Sequence, residues 1–147
     1  MMGDAAMRAF INFDPRPVDA EQFARPRWRQ QLAQQIAMFP SFALPAGQSP
    51  VALCGFVHSE GVCEAWMVTG RGFEGKARTI LQQQRALIAD MFDALSLRRM
   101  HIMVDVDRAD AQRWAEALGF SFEARLDRLG VGDRDQYVYR ILAKGKK

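Results

Sequence analysis

The sequence predicts an α/β (α+β) fold: a mixed, mostly antiparallel central sheet with helices on both faces. Three observations carry this. Two apolar runs, Val51–His58 and Val62–Thr69, are joined by Ser59-Glu60-Gly61 and read as a hairpin. A long amphipathic helix follows, from about Glu74 to Leu95. After it the pattern reads strand, helix, strand, strand, whereas a purely parallel doubly wound fold would place a helix after nearly every strand.

In chain order, Phe10–Phe13 reads as a short first strand. Asp14-Pro15-Arg16-Pro17 then reads as extended or turning, because each proline restricts the residue before it. From Arg27 to Phe39, Leu32, Ile36 and Phe39 with Ala33 and Ala37 keep helical spacing, and Pro40 ends the helix. Ser41–Leu44 is a candidate short strand, and Pro45–Pro50, with Gly47, is a loop. If Glu60-Gly61 is a two-residue turn, Val57 pairs with Glu64 and His58 with Cys63.

In the long helix Ala77, Ile80, Leu81, Leu87, Ile88, Met91, Phe92 and Leu95 share one face; Gln82, Gln83, Arg85 and Asp90 fall on the wetter side. Met100–Val106 is a buried-looking strand. Asp107 is the expected N-cap of a helix that runs to Leu118 and stops at Gly119. Phe120–Leu126 and Gln136–Leu142 are the last two strands.

Size and composition narrow the class. The 147 residues suit one domain, 1–147, with one core. Hydrophobic residues make up 49% and charged residues 25%, as in ordinary globular chains. No apolar run approaches the roughly 18 residues of a membrane span. Met1–Phe10 lacks the apolar stretch of a secretory signal, so a cytoplasmic protein is expected. Cys54 and Cys63 are too few for a disulfide framework, and with only His58 and His101 a zinc site is not expected. The net charge of +3 is partly in Arg25, Arg27 and Arg29 and partly in Lys144, Lys146 and Lys147. Arg25-Pro-Arg-Trp-Arg29 reads as the solvated basic start of a helix rather than a nucleic-acid stripe, which would be denser.

Three pieces of the chain resemble the GNAT (acyl-CoA N-acyltransferase) superfamily, over roughly residues 51–142. Glu64-Ala-Trp-Met-Val-Thr-Gly70 is similar to the family's fourth strand. Gly72-Phe-Glu-Gly75-Lys-Ala77 falls where the family has (Gln/Arg)-x-x-Gly-x-(Gly/Ala), with Gly72 replacing the usual Gln or Arg and Arg71 one place early. Ala115-Glu-Ala-Leu-Gly-Phe120 is similar to its Tyr-x-x-Leu-Gly-Phe. Within the superfamily, Trp66–Ala77 and Val104–Phe120 look most like phage-encoded members, some of them acetyltransferases and others virion assembly proteins.

The resemblance implies acetyl-CoA as cosubstrate, an amine as acceptor and a GNAT domain that could form a homodimer. It places the pyrophosphate at Gly72, Gly75, Lys76 and Ala77, where a helix start offers N–H groups and the positive dipole end. Arg71 adds charge, and the backbone of Met67, Val68 and Thr69 would meet the pantetheine arm. Glu64 is the candidate general base, against the reading of an exposed strand carboxylate; His58 is a second candidate by chemistry. In the two-residue-turn register these two point to opposite faces. The family's tyrosine acid falls at Ala115, which cannot donate a proton. Trp114, Tyr137 and Tyr139 read as packing residues; of Asp105, Asp107 and Asp110, the first lies on a strand and the other two suit a helix start, so capping is favoured over a metal site.

Overall fold

The computed structural model describes residues 2–11, 13–17 and 27–144, with the backbone alone for 2–4. Arg25, Lys146 and Lys147 of the basic segments lie outside the described residues. The elements are α1 (Met2–Ile11), α2 (Trp28–Met38), β1 (Ser41–Leu44), β2 (Ala52–Ser59), β3 (Val62–Thr69), α3 (Phe73–Ala94), β4 (Arg99–Asp105), α4 (Ala109–Leu118), β5 (Ser121–Leu126), a short 3-10 turn at Val131–Asp133 and β6 (Gln136–Leu142). The six strands form one sheet in the order β1-β2-β3-β4-β6-β5, in which β3 and β4 run parallel while β1 with β2, β4 with β6 and β5 with β6 are antiparallel. No helix among the described residues is long and apolar enough to cross a membrane.

By its contacts the chain divides into two compact units, Met1–Val57 with Trp66–Gln83, and His58–Ala65 with Gln84–Lys147. The first has a core of Ala6 and Phe10 from α1, Leu32 and Ile36 from α2, Leu53 from β2 and Val68 from β3. Each large apolar side chain so buried contributes roughly 1.5–3 kcal/mol. The Phe10 and Trp28 rings meet edge to face with centroids 6.4 Å apart. Phe10 is thus part of a helix rather than the expected strand Phe10–Phe13. Ala6 and Phe10, four residues apart, lie on its buried face.

The hairpin turns where the sequence predicts, with Glu60 at φ 51° and Gly61 at φ 83°. Left-handed backbone at both central residues is what a two-residue turn matched to strand twist requires. Gly55 on β2 lies directly under the indole of Trp66 on β3. A Cβ there would come within 2.4 Å of the ring, so the strand position is reserved for glycine.

In the second unit β4 pairs with β3 on one side and β6 on the other, and β5 is an edge. Helix α4 ends on Gly119 at φ 105°, with Gly119 N–H donating to Glu116 and Phe120 N–H to Ala115. That double closure explains Leu118-Gly119-Phe120: glycine takes the left-handed position, and both flanking apolar residues turn inward. The start of α4 departs from expectation. Arg108, not Asp107, is the N-cap residue and makes no side-chain capping bond; Asp110 instead pairs with Arg108 at 3.0 Å. Asp105 is buried at the end of β4, bonded to Gln136 and, at 3.2 Å, to Arg134. It anchors the entry to β6. Among the described residues, no three of His, Cys, Asp and Glu are grouped to hold a metal.

Along α3 the buried positions are Phe73, Ile80, Gln84, Ile88 and Met91, at helical spacing. Gln84 is polar but satisfied, accepting from the Trp114 indole N–H at 2.9 Å. Cys54 and Cys63 are both buried, and desolvation pushes each thiol up to about 12; the Glu64 charge adds to the effect at Cys63.

Candidate functional site

The strand-turn-helix of the first unit brings Met67, Val68, Thr69, Arg71, Gly72, Gly75, Lys76 and Ala77 into one continuous segment. Gly72 sits at φ 88°, with Val51 Cγ1 only 3.4 Å from where its Cβ would be, so the turn itself requires glycine. Gly75 is different. It lies in the first turn of α3, and a Cβ built on it meets nothing within 4 Å. Neither backbone conformation nor packing explains a glycine there, where alanine would favour the helix.

Charge at this helix start is organised by Arg16, a residue the sequence reading placed only in an extended segment. Its backbone N–H donates to the Thr69 carbonyl at 2.8 Å and its Nε to Thr69 Oγ1 at 2.6 Å. Its Nη1 pairs with Glu74 Oε1 at 2.7 Å, and the guanidinium lies 4.9 Å from the centre of the Phe73 ring. The Glu74 carboxyl is held below its usual range, first by its own backbone N–H at the helix start and then by Arg16. A carboxylate at this position is thus tied back by a cation. The Thr69 carbonyl is likewise occupied by Arg16, so a pantetheine contact at that atom would require Arg16 to give way.

Arg71 pairs with Asp14 at 3.0 Å on the surface, and Lys76 Nζ donates to the Ser49 carbonyl at 3.1 Å. With exposed Arg78, four cations face two carboxylates around the turn. The local balance favours an anion.

Glu64 belongs to the second unit. The β3–β4 ladder registers Val62 with Arg99, Cys63 with Met100 and Glu64 with His101, while β3 runs on to Thr69. Glu64 Oε1 is 3.8 Å from His101 Nε2. His101 is therefore the imidazole beside Glu64. Nothing local in the sequence signals this, because the pair is made by a parallel ladder between strands separated by the whole of α3.

Behind His101 lies a chain of charged groups. Arg99 Nε donates to His101 Nδ1 at 3.2 Å, and the other two Arg99 nitrogens grip Glu123 at 2.9 and 2.5 Å. Arg140 reaches the same carboxylate at 3.3 Å. Glu123 falls at the β5 irregularity between Phe122 and Ala124. The Glu123 carboxyl is held below its usual range, chiefly by the Arg99 hydrogen bond.

No group that could act as acid stands at position 115, where the side chain is the buried methyl of Ala115. Tyr139 is buried, and burial raises its hydroxyl above the usual value. Tyr137 and Tyr139 both meet the Phe122 ring edge on. At the other basic segment, Arg29 folds over the Trp28 and Phe10 rings at 4.5 and 5.8 Å.

No protein-family model matches the chain, and no curated protein matches it in sequence. Solved structures do match. The ribosomal-protein-S5-alanine acetyltransferase from Vibrio fischeri has a TM-score of 0.70 at 14% identity, over 100% of this chain and 92% of that one. An acetyltransferase of the GNAT family from Bacillus anthracis has a TM-score of 0.64 at 17% identity, over 78% and 72%. The microcin C7 self-immunity acetyltransferase MccE, solved with acetyl-CoA and AMP, has 0.66 at 17%, over 96% and 83%. At such identities the likeness is one of fold. The chain has the fold of GNAT acetyltransferases, a mixed α/β fold with a six-stranded, mostly antiparallel sheet.

Proposed function

We propose that the protein is an acyl-CoA-dependent N-acetyltransferase acting on a small or peptidic amine. The observation that carries this is Gly75: a glycine in the first turn of α3 that the fold does not need, beside a helix start with an excess of cations. A backbone without Cβ lets a phosphate approach the helix N–H groups, and the dipole favours its charge. Gly72, Gly75, Lys76 and Ala77 with Arg71 would hold the pyrophosphate, and Met67 and Val68 the arm. The solved fold neighbour MccE carries acetyl-CoA, which supports the same cosubstrate here.

The bound thioester supplies an activated acyl carbon. To Glu64, half exposed on β3, we assign the removal of a proton from the acceptor ammonium. The neutral amine then forms the new C–N bond as the C–S bond breaks, and the nitrogen's second proton ends on the released thiol. A thiol of ordinary pKa, about 8.5, leaves readily as thiolate near neutrality. The reaction therefore does not demand a tyrosine acid at position 115.

Titration calorimetry with acetyl-CoA tests the reading: micromolar binding is expected, and no heat at high micromolar ligand would sink it. Buried Ala115, with no hydroxyl, favours a second reading, a non-catalytic GNAT-fold phage protein acting in virion assembly or as a binding module. Binding of acetyl-CoA together with thiol release on adding an amine would exclude it. A cytoplasmic setting, that of the host cell for a phage gene, fits the first reading.

A further inference from the structure

Within the acyltransferase reading, on which this inference rests, we infer that His101 is the positioning residue for Glu64, with its tautomer set by Arg99. A guanidinium N–H can only donate, so the Nδ1 that receives the Arg99 Nε hydrogen at 3.2 Å is an acceptor. The imidazole proton therefore sits on Nε2, the nitrogen that faces the Glu64 carboxylate at 3.8 Å. That separation is longer than a hydrogen bond, and the Glu64 side chain, 51% exposed, has the freedom to close it by a small rotation. His101 is only 19% exposed and cannot swing away as easily.

The row behind His101 is built for orientation rather than stability. Glu123 holds Arg99 by two bonds and Arg140 by a third, so the Arg99 Nε–H is aimed by its partners. Glu64, His101 and Arg140 are successive registered partners across β3, β4 and β6, and Glu123 joins from β5. Partly exposed ion pairs of this kind contribute little to folding free energy. Their geometric effect is the larger one: the proton on His101 is fixed on the side of the carboxylate. A carboxylate held by one donor keeps its second oxygen for the acceptor amine. The charged groups facing the imidazole are Arg99 along its own strand, Glu64 from β3, and Arg140 from β6 with Glu123 behind Arg99.

The chain has only His58 and His101, so nitrogen-15 NMR reads the tautomer directly in a His58→Gln variant. The expected pattern for the neutral imidazole is the Nε2–H form, becoming a mixture of tautomers in Arg99→Ala. A mixture or the Nδ1–H form with Arg99 intact would overturn the inference. In turnover assays with acetyl-CoA and an alanyl peptide or a polyamine, His101→Ala should lower kcat roughly tenfold, a fraction of what a general base contributes. KM for acetyl-CoA should stay within about twofold, since His101 is assigned no contact with it. His101→Gln, which keeps an N–H donor, should recover most of the loss, and it also serves if the alanine variant fails to fold. Wild-type turnover that His101→Ala leaves unchanged would overturn this inference alone. An intact protein that neither binds acetyl-CoA nor releases thiol with any amine would overturn the acyltransferase reading and this one with it.

Discussion

Replacing Gly75 by alanine should move stability and cofactor affinity in opposite directions. The added methyl meets no atom within 4 Å, and the residue lies in the first turn of α3. With no clash, the effect on folding is the relief of backbone entropy, about 0.5 kcal/mol in favour of the variant. For a chain of this size that is a rise in Tm of about 1–2 °C. The same methyl stands where a phosphate oxygen would approach the helix N–H groups. Losing or lengthening one charge-assisted hydrogen bond costs about 1.5–3 kcal/mol. The Kd for acetyl-CoA should therefore weaken by roughly tenfold or more. Urea melts give the first quantity and titration calorimetry the second. A variant that is more stable but binds acetyl-CoA as well as the parent would show that the pyrophosphate does not approach Gly75, and the proposed cofactor site would fail.

Two further outcomes follow from the site's surroundings. Ala115→Tyr should destabilise the protein by about 3 kcal/mol in urea melts, because a phenol ring cannot enter a fully buried alanine site without moving its neighbours. It should not raise kcat, and an active, stable tyrosine variant would contradict the packing seen around α4. Glu123→Gln should flatten the acid side of the stability profile. The Glu123 carboxyl is lowered in the folded state, chiefly by Arg99, so its contribution is present above the usual value of 4.5 and is lost as pH falls through the lower folded value. The difference between parent and variant in pH-dependent melts should vanish at low pH, and a difference that persists there would point to another cause.

Much of the fold was legible because its signals are local. The Glu60-Gly61 turn, the amphipathic spacing of α3 and the glycine stop at Gly119 each depend on a few neighbouring residues. The N-terminal helix was hidden because Phe10–Phe13 is a short apolar run, and length alone cannot separate strand from helix in such a run. Asp107 looked like a cap by residue type, but the helix starts later and Arg108 takes the position. For the proposed site, the glycines, Lys76 and Glu64 were visible in sequence. Arg16 was not, because its partners Thr69 and Glu74 are more than fifty residues away. His101 was equally hidden, since a parallel ladder between β3 and β4 leaves no trace in spacing.

The burial of Cys54 and Cys63 has a practical side. They are the only cysteines in the sequence, and with thiols pushed up to about 12 neither presents a thiolate to a reagent at neutral pH while the protein is folded. A colorimetric reagent for free sulfhydryls would therefore report cofactor turnover against a silent background. The same reagent, added without cosubstrate, would develop colour only as molecules open, making the protein its own gauge of unfolding.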